Sequence, residues 1–178
     1  MLARLHLALL RLYRLLPRSG RLFVVHRLAP SFTVGAICVV ERADGALLLV
    51  RHSYRDRWGF PGGLLRRGEG VVDAAHREAA EEVDLAIELV GEPAVVVDPG
   101  ARRVDVVYRA RPALGGRQDP PLRPTSPEIV EVRWFPPTAL PQLQHEAAGA
   151  LVALARAWGG TTGAGRGPLA SAPLHRPT

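Results

Sequence analysis

The chain of 178 residues suits one domain with a full-sized core, and its single cysteine, Cys38, excludes a disulfide framework and fits a reducing cytoplasm. No run of about 18 apolar residues occurs, which excludes a transmembrane helix on sequence grounds. The formal net charge of +6, all of its basic residues being arginine, does not mark a nucleic-acid binder: residues 1–30 carry six arginines and no acid, residues 159–178 two more, and the remainder fifteen arginines against seventeen acids, a net of −2.

Residues 2–16 read as an amphipathic helix, with Leu2, Leu5, Leu9, Leu12, Leu15 and Leu16 on one stripe and Arg4, Arg11 and Arg14 off it. Pro17 and Gly20 end it. Three uses stand open for this segment: packing on the domain or a second subunit as a homodimer, lying on an anionic membrane surface, or acting as a targeting segment. It lacks a small-residue cleavage site of the secretory kind. We take residues 1–30 as a basic extension, 31–158 as the folded domain, and 159–178, with its Gly, Pro and Thr content, as a disordered tail.

Phe32–Val40 and Ala46–His52 read as two strands of a hairpin turning at Asp44-Gly45. Arg55–Glu69 reads as a loop, and Val71–Val83 as a helix with Asp73 in its first turn, where the helix dipole favours an acid. Ile87–Val90, Val95–Asp98 and Val104–Ala110 read as strands, the last two separated by Pro99-Gly100. Residues 111–127 hold five prolines and two glycines, a semi-rigid loop suited to shaping a pocket. Ile129–Phe135 reads as a strand, and Pro141–Trp158 ends in an Ala/Leu-rich helix. This order predicts an α/β fold, a mixed sheet between helices.

The chemistry concentrates between Gly62 and Leu85. Glu78, Glu81 and Glu82 stand at i, i+3 and i+4, within about 100° of arc on one helix face. Like charges so placed weaken a helix by roughly 0.2–0.5 kcal/mol per pair, a cost that a merely solvated helix avoids by mixing in cations. The opposite face (Val72, Ala75, Ala79, Val83) is apolar, so the acids are expected to point away from the core. Hard oxygen ligands on a rigid helix suit a divalent cation, Mg2+ above all. Gly62 and Gly63 let the backbone approach closely, and a glycine carbonyl is a further ligand candidate. Arg77 reaches Glu81 at i+4 and would orient and partly neutralise the carboxylates.

Gly63, Glu69, Arg77, Glu78, Glu81, Glu82 and Leu85 carry the spacing of a known signature, G-x5-E-x7-R-E-U-x-E-E-x-G-U with U a bulky aliphatic residue. The stretch resembles the Nudix hydrolases, the MutT-like pyrophosphohydrolases. It departs twice: Ala79 is small where an aliphatic residue is usual, and Asp84 replaces the glycine at the helix exit, a position that favours the left-handed conformation. The lead-in Trp58-Gly59-Phe60-Pro61-Gly62-Gly63 also resembles the family's approach to this box.

The resemblance implies an α/β/α sandwich and a hydrolase that cleaves the phosphoanhydride of a nucleoside diphosphate linked to a second group, with Mg2+ or Mn2+ as cofactor. It implies that Glu78, Glu81, Glu82 and Gly62 bind metal, that Glu69 completes the shell or holds a water, and that the general base is a box glutamate or one from a later loop, for which Glu128 is the candidate. Trp58 and Arg51 are the candidates for holding substrate, although Trp58 equally suits the core edge and Glu128 a strand end. His52 and His76 read as structural. Pro99 lies close to where ADP-ribose-cleaving members carry a proline, which tips the expected substrate slightly toward ADP-ribose or a nucleotide sugar. The alternatives are a MutT-type (d)NTP pyrophosphohydrolase and a module that senses nucleotides without turnover. A nucleic-acid partner is not expected, because the domain lacks a basic face.

Overall fold

The structure is a computed structural model that describes residues 2–113 and 122–159. The expected disordered tail, beyond Gly159, and the middle of the proline-rich loop lie outside the described residues. The chain divides into two compact units, Met1–Phe32 and Thr33–Thr178. The first holds α1 (Leu2–Leu15) and a second helix, α2 (Arg18–Leu28). The sequence reading missed α2 because Pro17 and Gly20 read as stops. Pro17 instead sits at the cap of α2 in an extended conformation (φ −61°, ψ 161°), where its missing N–H is no loss, and Gly20 falls in the first turn.

The second unit is built on β1 (Thr33–Val40), β2 (Leu47–His52), β3 (Trp58–Gly59), β4 (Gly62–Leu64), α3 (Val71–Val83), β5 (Ile87–Asp98), β6 (Arg103–Pro112), β7 (Ile129–Phe135) and α4 (His145–Gly159). A four-stranded sheet runs β4-β1-β6-β5, with β1 and β6 parallel and the other pairs antiparallel. A three-stranded antiparallel sheet runs β3-β2-β7. The Asp44-Gly45 turn forms, with Gly45 at φ 84°. The expected hairpin does not: β1 and β2 bridge only at Glu41 and Leu47 and then enter different sheets. Both strands are continuous apolar runs, each a central strand of its own sheet, and such strands are covered on both faces.

Alternation along these strands divides the core. Ala36, Cys38, Val40, Leu48 and Val50 pack with Ala74, Ala75, Ala79 and Val83 of α3. Ile37, Val39, Leu47 and Leu49 pack with Ala147, Ala150 and Leu154 of α4. Complete burial of each leucine or valine here contributes roughly 1.5–3 kcal/mol, so α3, and with it the acidic face, is fixed to the sheets by small alanines at close approach. Two further expectations change. The loop over residues 55–69 contains the short β3 and β4. The strands expected at Ile87–Val90 and Val95–Asp98 are one strand with a register shift, where Gly91 (φ 69°) makes room for Trp158.

Candidate active site

Helix α3 ends as the sequence requires. Asp84 adopts the left-handed conformation (φ 55°, ψ 38°), and the N–H groups of Asp84 and Leu85 donate to Ala80 O (3.1 Å) and Ala79 O (3.2 Å). Its acidic face is not simply turned to solvent. Glu82 is only 7% exposed. Its Oε2 accepts from the Gly62 N–H at 3.1 Å, and its Oε1 lies 3.5 Å from His52 Nε2. Glu78 presses against the Cα of Gly63 so closely that a β-carbon there would overlap its carboxylate. A side chain at this position would push the Glu78 carboxylate aside, whereas at Gly62 a β-carbon would meet the backbone oxygen of Ala36 and has no room. His76, read as lying on the apolar side, is exposed.

Arg77 organises the cluster and is itself only 16% exposed. Its guanidinium donates to Glu69 Oε1 and Oε2 (2.6 and 2.9 Å), Glu78 Oε1 (2.7 Å), Glu81 Oε2 (3.1 Å) and Leu64 O (3.3 Å). Arg66 adds two bonds of 2.9 Å to Glu81, and its backbone N–H donates to Glu69 Oε2 at 2.7 Å. The hydrogen bonds from Arg77 and from the Arg66 backbone hold the Glu69 carboxyl at about 2. Burial instead raises Glu78, and the Arg77 bond offsets this only in part. The Arg77 guanidinium is pushed up, first by its bonds to Glu69.

These residues edge a cleft of about 490 Å³, within the range of about 300–1,000 Å³ of small-molecule sites. Glu78, Glu81, Glu82, Gly62 and Gly63 line it from the box side. Glu128 lines it from the end of the proline-rich loop, its carbonyl accepting from the Ser53 N–H at 2.8 Å. Glu69 is not in the lining and is engaged by Arg77. Trp58 and Arg51 stand apart from the cleft: Trp58 packs edge-on against Phe135 at 4.9 Å between ring centroids, and Arg51 pairs with Glu131 at 2.8 Å. Pro99 lies in the turn after β5, also outside the cleft.

Sequence reasoning missed several lining residues. His52 ends β2 and Tyr54 and Arg55 follow it, so the end of a buried strand delivers them to the cleft. His52 is buried, its Nδ1 has no hydrogen-bond partner, and its ring stands 5.3 Å from that of Tyr54. Tyr54 is 63% exposed. Its phenol is raised, by burial first and then by the charge of Glu128. Arg103, Gln144 and Glu146 complete the opposite wall, where Arg55 donates to Gln144 Oε1 (2.8 Å) and Glu146 Oε1 (3.1 Å). The available signal was an aromatic and a cation just past a buried strand; Gln144 and Glu146, more than eighty residues later, gave none.

The charge account of the cleft bears on a metal. Its lining holds five glutamates (78, 81, 82, 128 and 146) against four arginines (55, 66, 77 and 103). Every one of those arginines is already paired: with Glu146, with Glu81, with the Glu69–Glu78–Glu81 group and with Asp105. Among the described lining residues, therefore, every arginine is engaged before a polyanionic ligand enters. Among the described residues no three acidic, His or Cys side chains stand close enough to hold an ion as placed. Arg77 and Arg66 draw Glu78 and Glu81 aside. The donor set is nonetheless all hard oxygen on one helix face beside a glycine cradle, and it fits Mg2+ or Mn2+ once those carboxylates turn from the arginines.

Comparison with known proteins identifies the family. The NUDIX domain model matches residues 31–155. A MutT-like protein of Streptomyces ambofaciens is 29% identical over 117 residues, covering 66% of this chain and 72% of its own. The 8-oxo-dGDP phosphatase of Mus musculus is 28% identical over 128 residues, covering 70% of this chain but 38% of that protein, so the match spans well under half of that relative. The crystal structure of a MutT NUDIX hydrolase from Burkholderia pseudomallei superposes with a TM-score of 0.56 at 30% identity, covering 68% of this chain and 97% of that one.

Proposed function

Because the chain belongs to the NUDIX family, whose members are hydrolases of phosphoanhydride bonds, we infer that it is a Mg2+-dependent enzyme acting on a nucleoside diphosphate linked to a further group. One observation carries the reading. The cleft gathers the box carboxylates Glu78, Glu81 and Glu82 against Gly62 and Gly63, and every arginine among its described lining residues is already paired, so an added cation is the natural counter-charge for a diphosphate. Family members typically depend on a divalent metal, and Glu78, Glu81, Glu82 and the carbonyl of Gly62 would hold it here. The ion supplies neutralisation of the phosphate oxygens.

The chain's own groups then have separable roles. The Gly62 N–H holds one oxygen of Glu82, and His52 Nε2 stands 3.5 Å from the other. Arg77 fixes Glu78 and Glu81 and is itself anchored by Glu69. Glu128, which lines the same cleft, takes the proton of the attacking water. The P–O bridge of the anhydride breaks and leaves two phosphate monoesters. The exposed ring of Tyr54 offers a face for the base, and Arg55, Gln144 and Glu146 offer polar contacts to the group at the other end. That second polar wall favours ADP-ribose or a nucleotide sugar. The likeness to MutT-like proteins favours a second reading, a pyrophosphohydrolase of (d)NTPs.

Phosphate release from ADP-ribose, nucleotide sugars, canonical and oxidised (d)NTPs and dinucleoside polyphosphates, measured with Mg2+ or Mn2+ and a coupled phosphatase, decides among these. Metal-dependent turnover that Glu82→Gln cuts by orders of magnitude, in a variant that still folds, supports the assignment. Full activity in that variant removes Glu82 from the mechanism, and silence of the unaltered protein across the panel moves the reading to nucleotide sensing.

A further inference from the structure

We propose that the first thirty-two residues are a docking element for an anionic lipid surface. All of the chain's net charge resides there. Residues 1–32 hold Arg4, Arg11, Arg14, Arg18, Arg21 and Arg27 and no acid, whereas residues 33–178 hold seventeen arginines and seventeen acids. Where the side chains of residues 1–32 are described, none is buried: Leu7, Leu10, Leu12 and Phe23 are exposed, and Leu15 and Leu28 are each 80% exposed. Helices of 14 and 11 residues are marginal in water unless a surface takes their apolar side. No described helix is long and apolar enough to cross a membrane.

Charge selects the occupant. A second copy would bring six arginines against six, and the rest of the chain is balanced, so neither attracts this segment electrostatically. A bilayer with anionic headgroups meets both needs: acyl chains receive exposed leucines of α1 such as Leu12 and Leu15, and headgroups receive the arginines of the segment. An apolar face combined with a polybasic one supplies the two signals that stable surface binding requires.

Flotation of the full chain with vesicles of phosphatidylcholine, with and without phosphatidylglycerol, tests this. Binding should be about a hundredfold tighter on the anionic vesicles if half of the arginines reach headgroups, and should weaken strongly near 1 M salt, where the screening length falls to about 3 Å. The triple variant Arg11→Glu, Arg14→Glu, Arg18→Glu should lose the anionic preference. Leu12→Asp with Leu15→Asp should lose binding outright, with the thermal unfolding of the rest of the chain unchanged. Equal binding to both vesicle types overturns the proposal. So does no binding together with a dimer that the leucine variant dissociates, which would assign the face to a second copy. A salt-sensitive complex with RNA and none with vesicles overturns it as well.

Discussion

Replacing Arg77 by Gln removes the only group that touches Glu69, Glu78 and Glu81 together. Glu78 is the carboxylate that suffers most, because burial already raises it and the 2.7 Å bond from Arg77 is what opposes that burial. A charge-assisted bond of this kind is worth roughly 1.5–3 kcal/mol. Glu81 stays exposed and keeps Arg66, and Glu69 keeps the Arg66 N–H, so neither adds appreciably to the loss. The expected loss is therefore about 2–3 kcal/mol in urea unfolding without added metal. The sign of the metal effect is the sharper test. Arg77 competes with a divalent ion for the same oxygens, so its removal should increase the stabilisation that Mg2+ confers and return part of the loss at saturating Mg2+. Turnover should still fall, since the carboxylates lose their fixed orientation. A variant whose deficit is the same with and without Mg2+ would refute the idea that Arg77 and metal share ligands. A deficit below about 0.5 kcal/mol would show that the arginine contacts are no more than surface ion pairs.

Tyr54→Ala should raise KM about tenfold with kcat nearly unchanged, since stacking of a base on an aromatic ring is worth roughly 1–3 kcal/mol; steady-state kinetics that show no rise in KM would exclude base stacking there. Asp84→Gly should stabilise by about 0.5 kcal/mol and raise Tm by about 1–2 °C, because glycine takes φ 55° without strain and the 3.4 Å contact to Arg123 is exposed. Glu69, held at about 2 in the folded chain against about 4.3 unfolded, contributes stability that is complete above about pH 4.3 and is lost as pH falls toward 2; Glu69→Gln should flatten that part of the melting profile, and an unchanged acid limb would contradict it. The Cys38 thiol, pushed up to about 12 by burial first and then by Glu82 and Glu78, should ignore a disulfide reagent at pH 8 until the protein is denatured.

What could be read in advance followed from local rules. Helix α3 was legible to its last residue because its alanines, the leading Gly70 and the left-handed Asp84 are all local signals. The strands were legible as apolar runs, but their partners were not. Nothing local says that β1 pairs in parallel with β6, seventy residues on, while β2 joins β7. The same limit applied to the site. The spacing of Glu78, Glu81 and Glu82 identified the box, yet Glu82 faces inward because His52 and Gly62 close over it from two different strands. Arg77 was expected to meet Glu81 one turn away, and it does; its tighter bonds to Glu69 depend on the fold of the loop before α3. Trp58 suited base stacking by composition alone, but Phe135 of β7 claims its ring, while Tyr54 projects into the cleft from the end of β2.

The two units divide the electrostatic work in opposite ways. In residues 33–178 the carboxylates Glu69, Glu78 and Glu81 are paired with arginines, so a divalent ion that takes over Glu78 and Glu81 adds its own two positive charges to the cleft. A diphosphate then meets an excess of positive charge that the ion-free cleft lacks. In residues 1–32 the arginines have no acid in their own segment to pair with, and none of the leucines whose side chains are described is buried. A segment unsatisfied in both respects is well explained as one side of an interface. The chemistry and the placement of the enzyme can therefore vary independently: changes in the first thirty-two residues should alter where the chain resides, and changes in the box should alter what it cleaves.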